Sequence, residues 1–481
     1  MNVLLVVGES VMHERMGVMS LGASLSQAGF GVHLAVASRY RVAGMRALMD
    51  RLQPEVVGYS SMTGEHCRLL ALNARLKEDY RFISVFGGPH ATFFPRLVDE
   101  PGLDAICRGE GDVAFVEFCR RVACGEDWEA TPNFVARRHG RTIENPLLPL
   151  IDDLDSLPFP DRELMYEADP SLRAESHKVF FATRGCPYDC SYCFNHRYGE
   201  LYRGMGPMVR HRSPEKVVDE IDEVRSRYPL GVVWIDDDTF LLKPHGWMER
   251  FARAYRQRIG LPLSCNVRAD LVTESVIRLL RDAGLNSVWM GVECGNEEVS
   301  RRILRRNLST DQIRAAAGVL RDAGVMVVTQ NLLGLPVDKP YEIDKETLDL
   351  NLRIRPTYAW SSILYPYPGT AIEAYAREHG FLTGEPHYLE TNKRTSMLKF
   401  PSPRVRRRIE NLHKLFGLMA RFPALRRLCD RLCDAPLDGM YTPLYYLWYG
   451  YIVKARLYPF RSPFRELGNY IGLWWRFVRK R

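Results

Sequence analysis

The sequence predicts an α/β protein with two successive sheet regions and a helical C-terminal region. Two observations predict this fold class: short apolar runs alternate with longer amphipathic stretches over residues 1–140, and a second such series starts near residue 178. With 481 residues, 46% of them hydrophobic, the chain can form two or three domains with buried cores. We divide it into a first sheet domain (1–140), a linker (141–170), a second sheet domain (171–395) and a C-terminal region (396–481).

The first domain is predicted to be a Rossmann-like parallel sheet. Its strand candidates are the apolar runs 3–7, 32–37, 56–60, 83–86 and 105–107. Glycine-rich segments follow the fourth and fifth runs directly, at 87–90 and 109–111, and glycine lets the backbone approach a ligand closely. Because ligands of open parallel sheets bind beyond the carboxyl ends of the strands, the sequence predicts a ligand site at this edge.

The second domain is predicted to be a partial (β/α)6 barrel. Residues 151–160, rich in Asp and Pro, break the periodicity before it and are typical of a linker. The six strand candidates are 179–183, 232–235, 263–267, 287–292, 326–330 and 359–364, and a helical stretch follows each of them. Barrel chemistry gathers at the carboxyl ends of the strands, where polar residues follow these runs.

The basic residues are concentrated at the C-terminus. The net charge is +8, yet residues 401–481 carry 17 Lys and Arg against 5 Asp and Glu, whereas residues 1–400 carry 49 against 53. A neutral body argues against a nucleic-acid partner, and we expect none. The longest uncharged run of this C-terminal region, 439–453, is too short to span a membrane. With Trp474, Trp475, Phe477 and the cations 479–481, the region favours either peripheral membrane contact or a helical cap on the barrel.

The cysteine content and the N-terminus predict a cytoplasmic protein. The chain has eleven cysteines, and its first residues, 1–7, are typical of a strand rather than of a secretory leader. We therefore expect a reducing compartment, with the inner face of the membrane as the place of any peripheral contact.

Three cysteines form the pattern Cys186-x3-Cys190-x2-Cys193 directly after a β-like run and an Arg-Gly pair. Three thiolates can hold three irons of a four-iron cluster and leave the fourth open. An open position distinguishes a catalytic metal site from a closed structural one. The alternatives are a zinc site or a redox pair, but zinc favours paired cysteine elements with four ligands, and the next cysteine is Cys265.

With Tyr192 before the last cysteine, this motif resembles that of the radical S-adenosylmethionine (SAM) enzymes. The resemblance implies that Cys186, Cys190 and Cys193 bind a [4Fe–4S] cluster and that SAM chelates the open iron. It implies reductive cleavage of SAM to a 5′-deoxyadenosyl radical, which abstracts hydrogen from the substrate. A reductant such as flavodoxin or ferredoxin is then an expected partner.

The same resemblance implies SAM contacts at successive strand ends. These are Tyr192, Asp236, Asp238, Arg268, Glu293 and Gly334. The Asp236–Asp238 triplet would meet the amino group of SAM, Arg268 its carboxylate and Glu293 its ribose, while Gly334 resembles an adenosine-edge motif. The alternatives are that the Asp triplet caps a helix and that Glu293 is simply solvated.

The first domain resembles the cobalamin-binding domains that precede the radical SAM domain in one large subfamily. The residues implied to cradle the nucleotide tail of cobalamin are Ser60, Ser61, Thr63, Gly87, Gly88, His90, Gly109 and Glu110. The Asp-x-His-x-x-Gly motif is missing, because His13 has neither the Asp nor the glycine spacing, so we expect no histidine on cobalt. The alternative is a generic Rossmann-like sheet with another ligand.

Together these resemblances imply a cobalamin-dependent radical SAM methyltransferase that acts on an unactivated carbon of a small-molecule or lipid-like substrate. One alternative uses the same cofactors for a ring closure, a ring contraction or an oxidative rearrangement. A more distant alternative is a corrin sensor or carrier without catalytic activity. An RNA methylthiotransferase would need a second cysteine trio, and Cys67, Cys107, Cys119 and Cys124 lack its motif contexts.

Overall fold

Two parallel-rich sheets organise the protein. We analysed a computed structural model, which describes residues 1–9, 14–138, 140–384 and 395–458. The strands are β1 Asn2–Val7, β2 Gly31–Val36, β3 Val56–Ser60, β4 Ile83–Gly87, β5 Ala105–Cys107, β6 Phe134–Arg138, β7 Arg141–Glu144, β8 His177–Phe180, β9 Thr183–Arg184, β10 Arg210–His211, β11 Val232–Ile235, β12 Leu263–Val267, β13 Leu285–Glu293, β14 Met326–Leu333 and β15 Tyr358–Ile363.

Helices cover both sheets and extend beyond them at the C-terminus. They are α1 Met16–Gln27, α2 Val42–Leu52, α3 Glu65–Lys77, α4 Pro89–Phe93, α5 Gly111–Cys124, α6 Arg162–Ala168, α7 Pro170–Arg173, α8 Asn195–Leu201, α9 Pro214–Arg227, α10 His245–Arg258, α11 Glu274–Ala283, α12 Glu297–Arg302, α13 Thr310–Asp322, α14 Pro340–Ile354, α15 Ala371–Glu378, α16 Pro403–Arg421, α17 Cys429–Asp434 and α18 Asp438–Tyr451. Several begin at a side-chain cap: Ser213 accepts from the backbone of Lys216, and Ser309 forms a capping box with Gln312.

The first sheet has the strand order β2-β1-β3-β4-β5-β6-β7. Strands β1 to β5 are parallel, as the sequence predicted. The interior strand β1 is almost wholly buried because both faces of the sheet are covered. The antiparallel strands β6 and β7 at the edge were not predicted. They extend this sheet to Glu144, and the predicted domain boundaries stay a prediction.

The second sheet is parallel throughout, with the order β8-β11-β12-β13-β14-β15. Its six strands confirm the predicted partial barrel. The short strands β9 and β10 pair antiparallel beside it and enclose the segment that contains the three cysteines. The cysteine loop therefore begins directly after the first barrel strand, at the carboxyl end of the sheet.

The described part of the C-terminal region packs on the barrel. Helix α16 lies against β15 and α14 and buries Leu412 and Phe416 there. The π-helical turn Ile452–Leu457 and Tyr458 pack against Trp289 on β13, whose indole nitrogen donates to the Tyr458 hydroxyl at 3.0 Å. The residues predicted to contact a membrane, Trp474 to Arg481, lie outside the described residues. Among the helices that are described, none combines the length and the apolar character that crossing a membrane requires.

A buried ion network joins the linker to both sheet domains. Arg162 on α6 donates to Glu14 of the first domain at 2.8 Å and to Glu220 of the barrel at 3.1 Å. All three side chains are at most 5% exposed. Helix α6, which lies in the predicted linker, is therefore a packed element rather than a free connection.

Candidate functional site

A cavity of about 670 Å³ lies between the carboxyl ends of the two sheets. The first sheet lines it with Ser60, Gly87, Gly88, Gly109 and Glu110. The second lines it with Thr183, Arg184, Gly185, Asp236 and Asp238. The two edges at which the sequence predicted ligands thus open into one space, which is the geometry that lets two bound groups meet.

Charged residues join the two domains at the wall of this cavity. Glu110 accepts from Arg210 at 2.9 Å and from Arg184 at 3.2 Å. Arg184 also pairs with Asp112 at 2.9 Å, and Asp112 accepts from the Ser20 hydroxyl at 2.6 Å. Burial opposes the ionisation of Asp112, but Arg184 and Ser20 outweigh it and lower the pKa of this carboxyl below its ordinary value. Glu110 is therefore held by two arginines of the barrel, and its predicted contact with cobalamin stays a prediction.

The glycine after β5 is required by the packing of the protein itself. Gly109 has φ of +76°, and a Cβ there would lie 1.7 Å from the Tyr202 hydroxyl oxygen. Tyr202 follows α8, the helix after the cysteines. The close approach that the sequence predicted at Gly109 is thus an approach to the second domain.

Three of the residues predicted to bind cobalamin lie beneath the cavity wall instead of lining it. The backbone nitrogen of Ser61 donates to Gly87 at 3.0 Å. The Thr63 hydroxyl lies 3.1 Å from Nδ1 of His90, whose ring stacks on His66 with 3.6 Å between the ring centroids. Burial lowers the pKa of His90 to about 3 and that of His66 to about 4, so both imidazoles are neutral at pH 7. His13, for which no cobalt bond was expected, lies outside the described residues.

The three cysteines share the loop between β9 and α8 as free thiols. Cys190 is buried, whereas Cys186 and Cys193 are half-buried. Burial raises the pKa of Cys186 to about 11 and that of Cys193 to about 12, and the neighbouring cysteine sulfurs add to both shifts. The thiolates of Cys186 and Cys193 therefore need positive charge close by.

This donor set fits the implied four-iron cluster. Three thiols on one loop match the three protein ligands that leave one iron open. Arg306 supplies positive charge, with Nη1 4.0 Å from the Cys190 sulfur, and Arg268 favours the Cys186 thiolate electrostatically. Among the described residues, no three His, Cys, Asp or Glu side chains are placed to chelate a single metal ion. Each thiolate of a four-iron cluster binds a different iron, so a single-ion arrangement is not what this cluster requires.

Arg306 organises the residues next to Cys190. Its Nη1 donates to the Tyr192 hydroxyl at 3.1 Å, and its Nη2 donates to the carbonyl of Gly291 at 2.6 Å. Glu293 lies 3.9 Å from the same guanidinium, and burial raises its pKa although Arg306 and Tyr192 counteract the shift. Arg306 was not predicted, because nothing in its local pattern distinguishes it from the exposed Arg305 beside it.

The Asp triplet after β11 divides between the cavity and the loop. Asp236 and Asp238 line the cavity, and burial raises the pKa of Asp236 to about 6. Asp237 points the other way: it pairs with Lys243 at 2.6 Å and accepts from the backbone of Ala182 and Thr183 at 2.8 and 3.0 Å. The alternative that the triplet caps a helix is wrong, since the next helix, α10, has Pro244 at its N-cap.

Arg268 and Gly334 have partners within the protein. The guanidinium of Arg268 stacks 3.9 Å above the ring of Tyr188 in the cysteine loop and pairs with Asp270 at 2.9 Å. The backbone of Gly334 donates to Asp344 at 3.0 Å. Arg268 thus packs directly on the cysteine loop, whereas Gly334 contacts a buried carboxyl of α14. The predicted SAM contacts stay predictions.

Two family models match separate parts of the chain. The model of the B12 binding domain matches residues 1–119, and the model of the Radical SAM superfamily matches residues 180–346. The second match begins at the end of β8 and includes all three cysteines.

Curated relatives match about two thirds or more of the chain. An uncharacterized methyltransferase of Pyrococcus horikoshii is 24% identical over 70% of this chain and 72% of its own length. An anaerobic magnesium-protoporphyrin IX monomethyl ester cyclase of Rubrivivax gelatinosus is 27% identical over 67% of this chain and 59% of its own. A hopanoid C-3 methylase of Methylococcus capsulatus is 26% identical over 74% of this chain and 67% of its own.

Solved structures share the fold. The cobalamin-dependent SAM radical enzyme OxsB with aqua-cobalamin bound superposes with a TM-score of 0.71, covering 100% of this chain and 80% of that one at 14% identity. The radical SAM methyltransferase TsrM of Kitasatospora setae, with tryptophan and a SAM analog bound, superposes with a TM-score of 0.65, covering 80% of this chain and 77% of that one at 18% identity. At such identities the likeness concerns the fold alone.

Proposed function

This chain belongs to the radical SAM enzymes with an N-terminal B12-binding domain, and on that premise we propose that it methylates an unactivated carbon of a small-molecule or lipid-like substrate. Its cofactors are a [4Fe–4S] cluster, SAM and cobalamin. When bound, they supply reductive cleavage of SAM to a carbon radical and a carrier for the methyl group. The observation that carries the proposal is the cavity of about 670 Å³ that both strand-end edges share.

The residues of this chain have distinct tasks in the proposal. Cys186, Cys190 and Cys193 hold the cluster, and Arg306 fixes their loop through Tyr192 and the Cys190 sulfur. The pair of Arg184 and Asp112 fixes the two domains across the cavity. These contacts hold the walls of the cavity in place. The cavity keeps the substrate between the two bound cofactors, so the reacting groups are already positioned and do not have to meet by diffusion.

The remaining strand-end residues are proposed ligand contacts. Asp236 and Asp238 face the cavity, which supports contact with the amino group of SAM. Ser60, Gly87 and Gly88 face it from the first sheet, which supports contact with cobalamin. For Thr63 and His90, which lie behind this wall, we propose that they support the loop on which the corrin rests.

We further propose a cytoplasmic enzyme that takes its electrons from a flavodoxin or ferredoxin and contacts the membrane peripherally through its C-terminal region. The hopanoid methylase among the relatives supports a lipid-like substrate. The basic C-terminal region supports the membrane contact.

An isotope experiment tests the methyl transfer. The protein is reconstituted anaerobically and supplied with reductant and with SAM that carries a deuterated methyl group. Lipid and small-molecule extracts of the cells that produce this protein serve as the source of the methyl acceptor. We expect 5′-deoxyadenosine, S-adenosylhomocysteine and an extract component that carries the intact CD3 group. Cys193→Ala should abolish all three, whereas Cys124→Ala, an exposed cysteine outside the loop, should not.

A second candidate function is a ring closure or rearrangement with the same cofactors, favoured by the cyclase among the relatives. The same experiment separates the two. If an extract stimulates 5′-deoxyadenosine formation while no component acquires CD3 and no S-adenosylhomocysteine appears, methyl transfer is wrong and the second candidate replaces it.

A further inference from the structure

A groove of about 500 Å³ lies on the C-terminal region, away from the cavity between the sheets. The end of α14, the end of α16 and the π-helical turn after α18 form its walls. Three of its lining residues are the arginines Arg355, Arg421 and Arg456, and no acidic residue lines it. The groove therefore concentrates positive charge on a surface that is separate from the proposed catalytic site.

These arginines have no counter-charge in the part of the chain that the structure describes. No ion pair or hydrogen bond involves the guanidinium groups of Arg355, Arg421 or Arg456 among residues 1–9, 14–138, 140–384 and 395–458. Clustered cations repel one another, so a site of this kind favours an anion.

A buried hydrogen-bond donor lies next to the groove. Trp448 on α18 lines the groove, and its indole nitrogen is buried without an acceptor among the described residues. A buried donor of this kind costs free energy unless it is satisfied. The three guanidinium groups suit a ligand with several acceptor oxygens, such as a phosphate group. The indole N–H is buried, so it is not counted among the contacts of such a ligand.

An apolar stripe on α18 lies beside the groove. Met440, Leu444, Leu447 and Tyr451 are 62%, 40%, 65% and 51% exposed, and their spacing of four, three and four residues places them on one face of the helix. The opposite side of α18 is buried through Tyr441 and Tyr446. A row of exposed apolar side chains of this kind indicates a surface that contacts a partner protein or a membrane.

Aromatic rings connect the stripe to the groove. The ring centroid of Trp448 lies 5.7 Å from that of Tyr451 and 5.8 Å from that of Phe422, which is itself 47% exposed. Tryptophan and tyrosine favour the boundary between hydrocarbon and headgroups. The order along the surface is thus apolar, then aromatic, then cationic, which is the order of a bilayer from its acyl chains to its phosphates.

We propose that this groove and the exposed face of α18 dock the protein on an anionic membrane surface, with a lipid phosphate seated among Arg355, Arg421 and Arg456. Helix α18 then lies in the plane of the interface, with Met440, Leu444 and Leu447 among the acyl chains. The inference deepens the proposed membrane contact and rests on it. Its test measures vesicle binding alone, so its failure leaves the proposed methyl transfer standing.

Vesicle sedimentation with the full chain tests the docking. The vesicles are phosphatidylcholine alone or an equal mixture of phosphatidylcholine and phosphatidylglycerol. We expect binding to the mixture only, and a fall of about tenfold or more in the partition coefficient for the Arg421→Glu/Arg456→Glu variant. The matched control is Arg253→Glu/Arg256→Glu, which makes the same charge change at two exposed positions on α10 and should bind as the parent does.

A second variant tests the apolar stripe without changing charge. Met440→Ser/Leu447→Ser should lower the partition coefficient about fivefold or more at unchanged melting temperature, because both side chains are already more than half exposed in the free protein. Val113→Ser on α5, at 51% exposure, is the matched control and should bind normally.

Four results would overturn the proposal. The first is an equal loss of binding in the α10 control, which would mean attraction by net charge alone. The second is unchanged binding in both groove and stripe variants. The third is a parent oligomer that the variants dissociate, which would make this face an interface between copies. The fourth is a melting temperature that inorganic phosphate raises in the parent but not in the arginine variant, with no vesicle binding, which would make the groove a site for a free anion.

Discussion

Arg184 binds Asp112 through two hydrogen bonds, of 2.9 and 3.1 Å, across the boundary between the two sheet domains. Arg184 stands two residues before Cys186, and Asp112 lies in the first turn of α5 in the B12-binding domain. A forked guanidinium–carboxylate pair is among the more rigid polar contacts in proteins. The entrance to the cysteine loop is therefore fixed by the domain opposite it.

Asp112→Asn should weaken the contact between the two domains. It leaves Arg184 partly buried without its main counter-charge, and we expect the free energy of unfolding to fall by about 1–3 kcal/mol. Urea unfolding measures this change. The control is Glu117→Gln on the same helix, whose pairs with Arg120 and Arg121 are at the surface and should be worth well under 1 kcal/mol. Equal losses in both variants would contradict the role of Asp112.

Gly185→Ala should prevent assembly of the cysteine loop. Gly185 has φ of +91°, and a Cβ there would lie 1.8 Å from the carbonyl oxygen of Met208, so the backbone between β9 and Cys186 would have to move. We expect reconstituted protein with less than about a tenth of the parent iron and sulfide, together with a stability loss of about 2–4 kcal/mol.

The control for this change is Gly199→Ala on α8. A Cβ at Gly199 meets no atom within 4 Å, and alanine favours a helix, so this variant should be neutral or more stable by about 0.5–1 kcal/mol. Full iron incorporation into the Gly185→Ala protein would show that the loop tolerates the shift.

Arg306→Met should change the surroundings of the cluster. The substitution removes the cation 4.0 Å from the Cys190 sulfur and leaves Glu293 and Tyr192 without their shared partner. Arg306 is a positioning residue. The measurement that tests this role is the electron paramagnetic resonance spectrum of the reduced cluster, whose signals should shift in Arg306→Met. Stability should fall by about 2–4 kcal/mol.

The neighbouring Arg305→Met is the control, since that side chain is 52% exposed. Arg306→Lys should recover part of the stability because it keeps the charge but loses the forked geometry. A spectrum identical to that of the parent in Arg306→Met would remove Arg306 from the cluster environment.

The stacked imidazoles of His66 and His90 should make the protein sensitive to mild acid. Burial holds their pKa values near 4 and 3, below the ordinary 6.5, so the folded state binds fewer protons than the unfolded state as pH falls from about 6.5 to 4. The free energy of unfolding therefore decreases in this window, by about 2–4 kcal/mol for the pair between pH 7 and 5.

Urea unfolding at a series of pH values measures the slope. His90→Gln should flatten it, whereas His245→Gln, an exposed histidine on α10, should leave it unchanged. A slope that is equally steep in His90→Gln would assign the acid sensitivity to other groups.

The sequence predicted the strands of both sheets because their residues repeat as short apolar runs with turn signals between them. The hairpin of β6 and β7 was not predicted, because Arg137 and Arg141 give its sequence the charged character of an exposed sheet edge. The cysteine trio was visible because its spacing is local. By contrast, the roles of Asp237 and Arg306 depend on partners far along the chain, Ala182 and Cys190, which no local pattern specifies.

Glu110 illustrates the same limit in the candidate site. Its position after a strand end predicted a ligand contact, and its side chain does line the cavity. Sequence could not show that Arg184 and Arg210 would hold it there, since both belong to the second domain. The sequence thus placed Glu110 after a strand end, and the fold shows that this position lines the cavity. Its ion pairs with the second domain became visible only in the fold, and its contact with a ligand stays a prediction.

The burial of Arg162 between Glu14 and Glu220 has a consequence for how such enzymes can evolve and be engineered. In the intact chain, the buried charges of Arg162, Glu14 and Glu220 neutralise one another. One half taken alone, or joined to a half from a distant relative, would contain a buried charge without its partner. Chimeras that exchange one half at the linker should therefore aggregate unless the matching acidic residue travels with it. Glu14 also lines the cavity between the two sheets, so this boundary limits which halves can be combined around a working site.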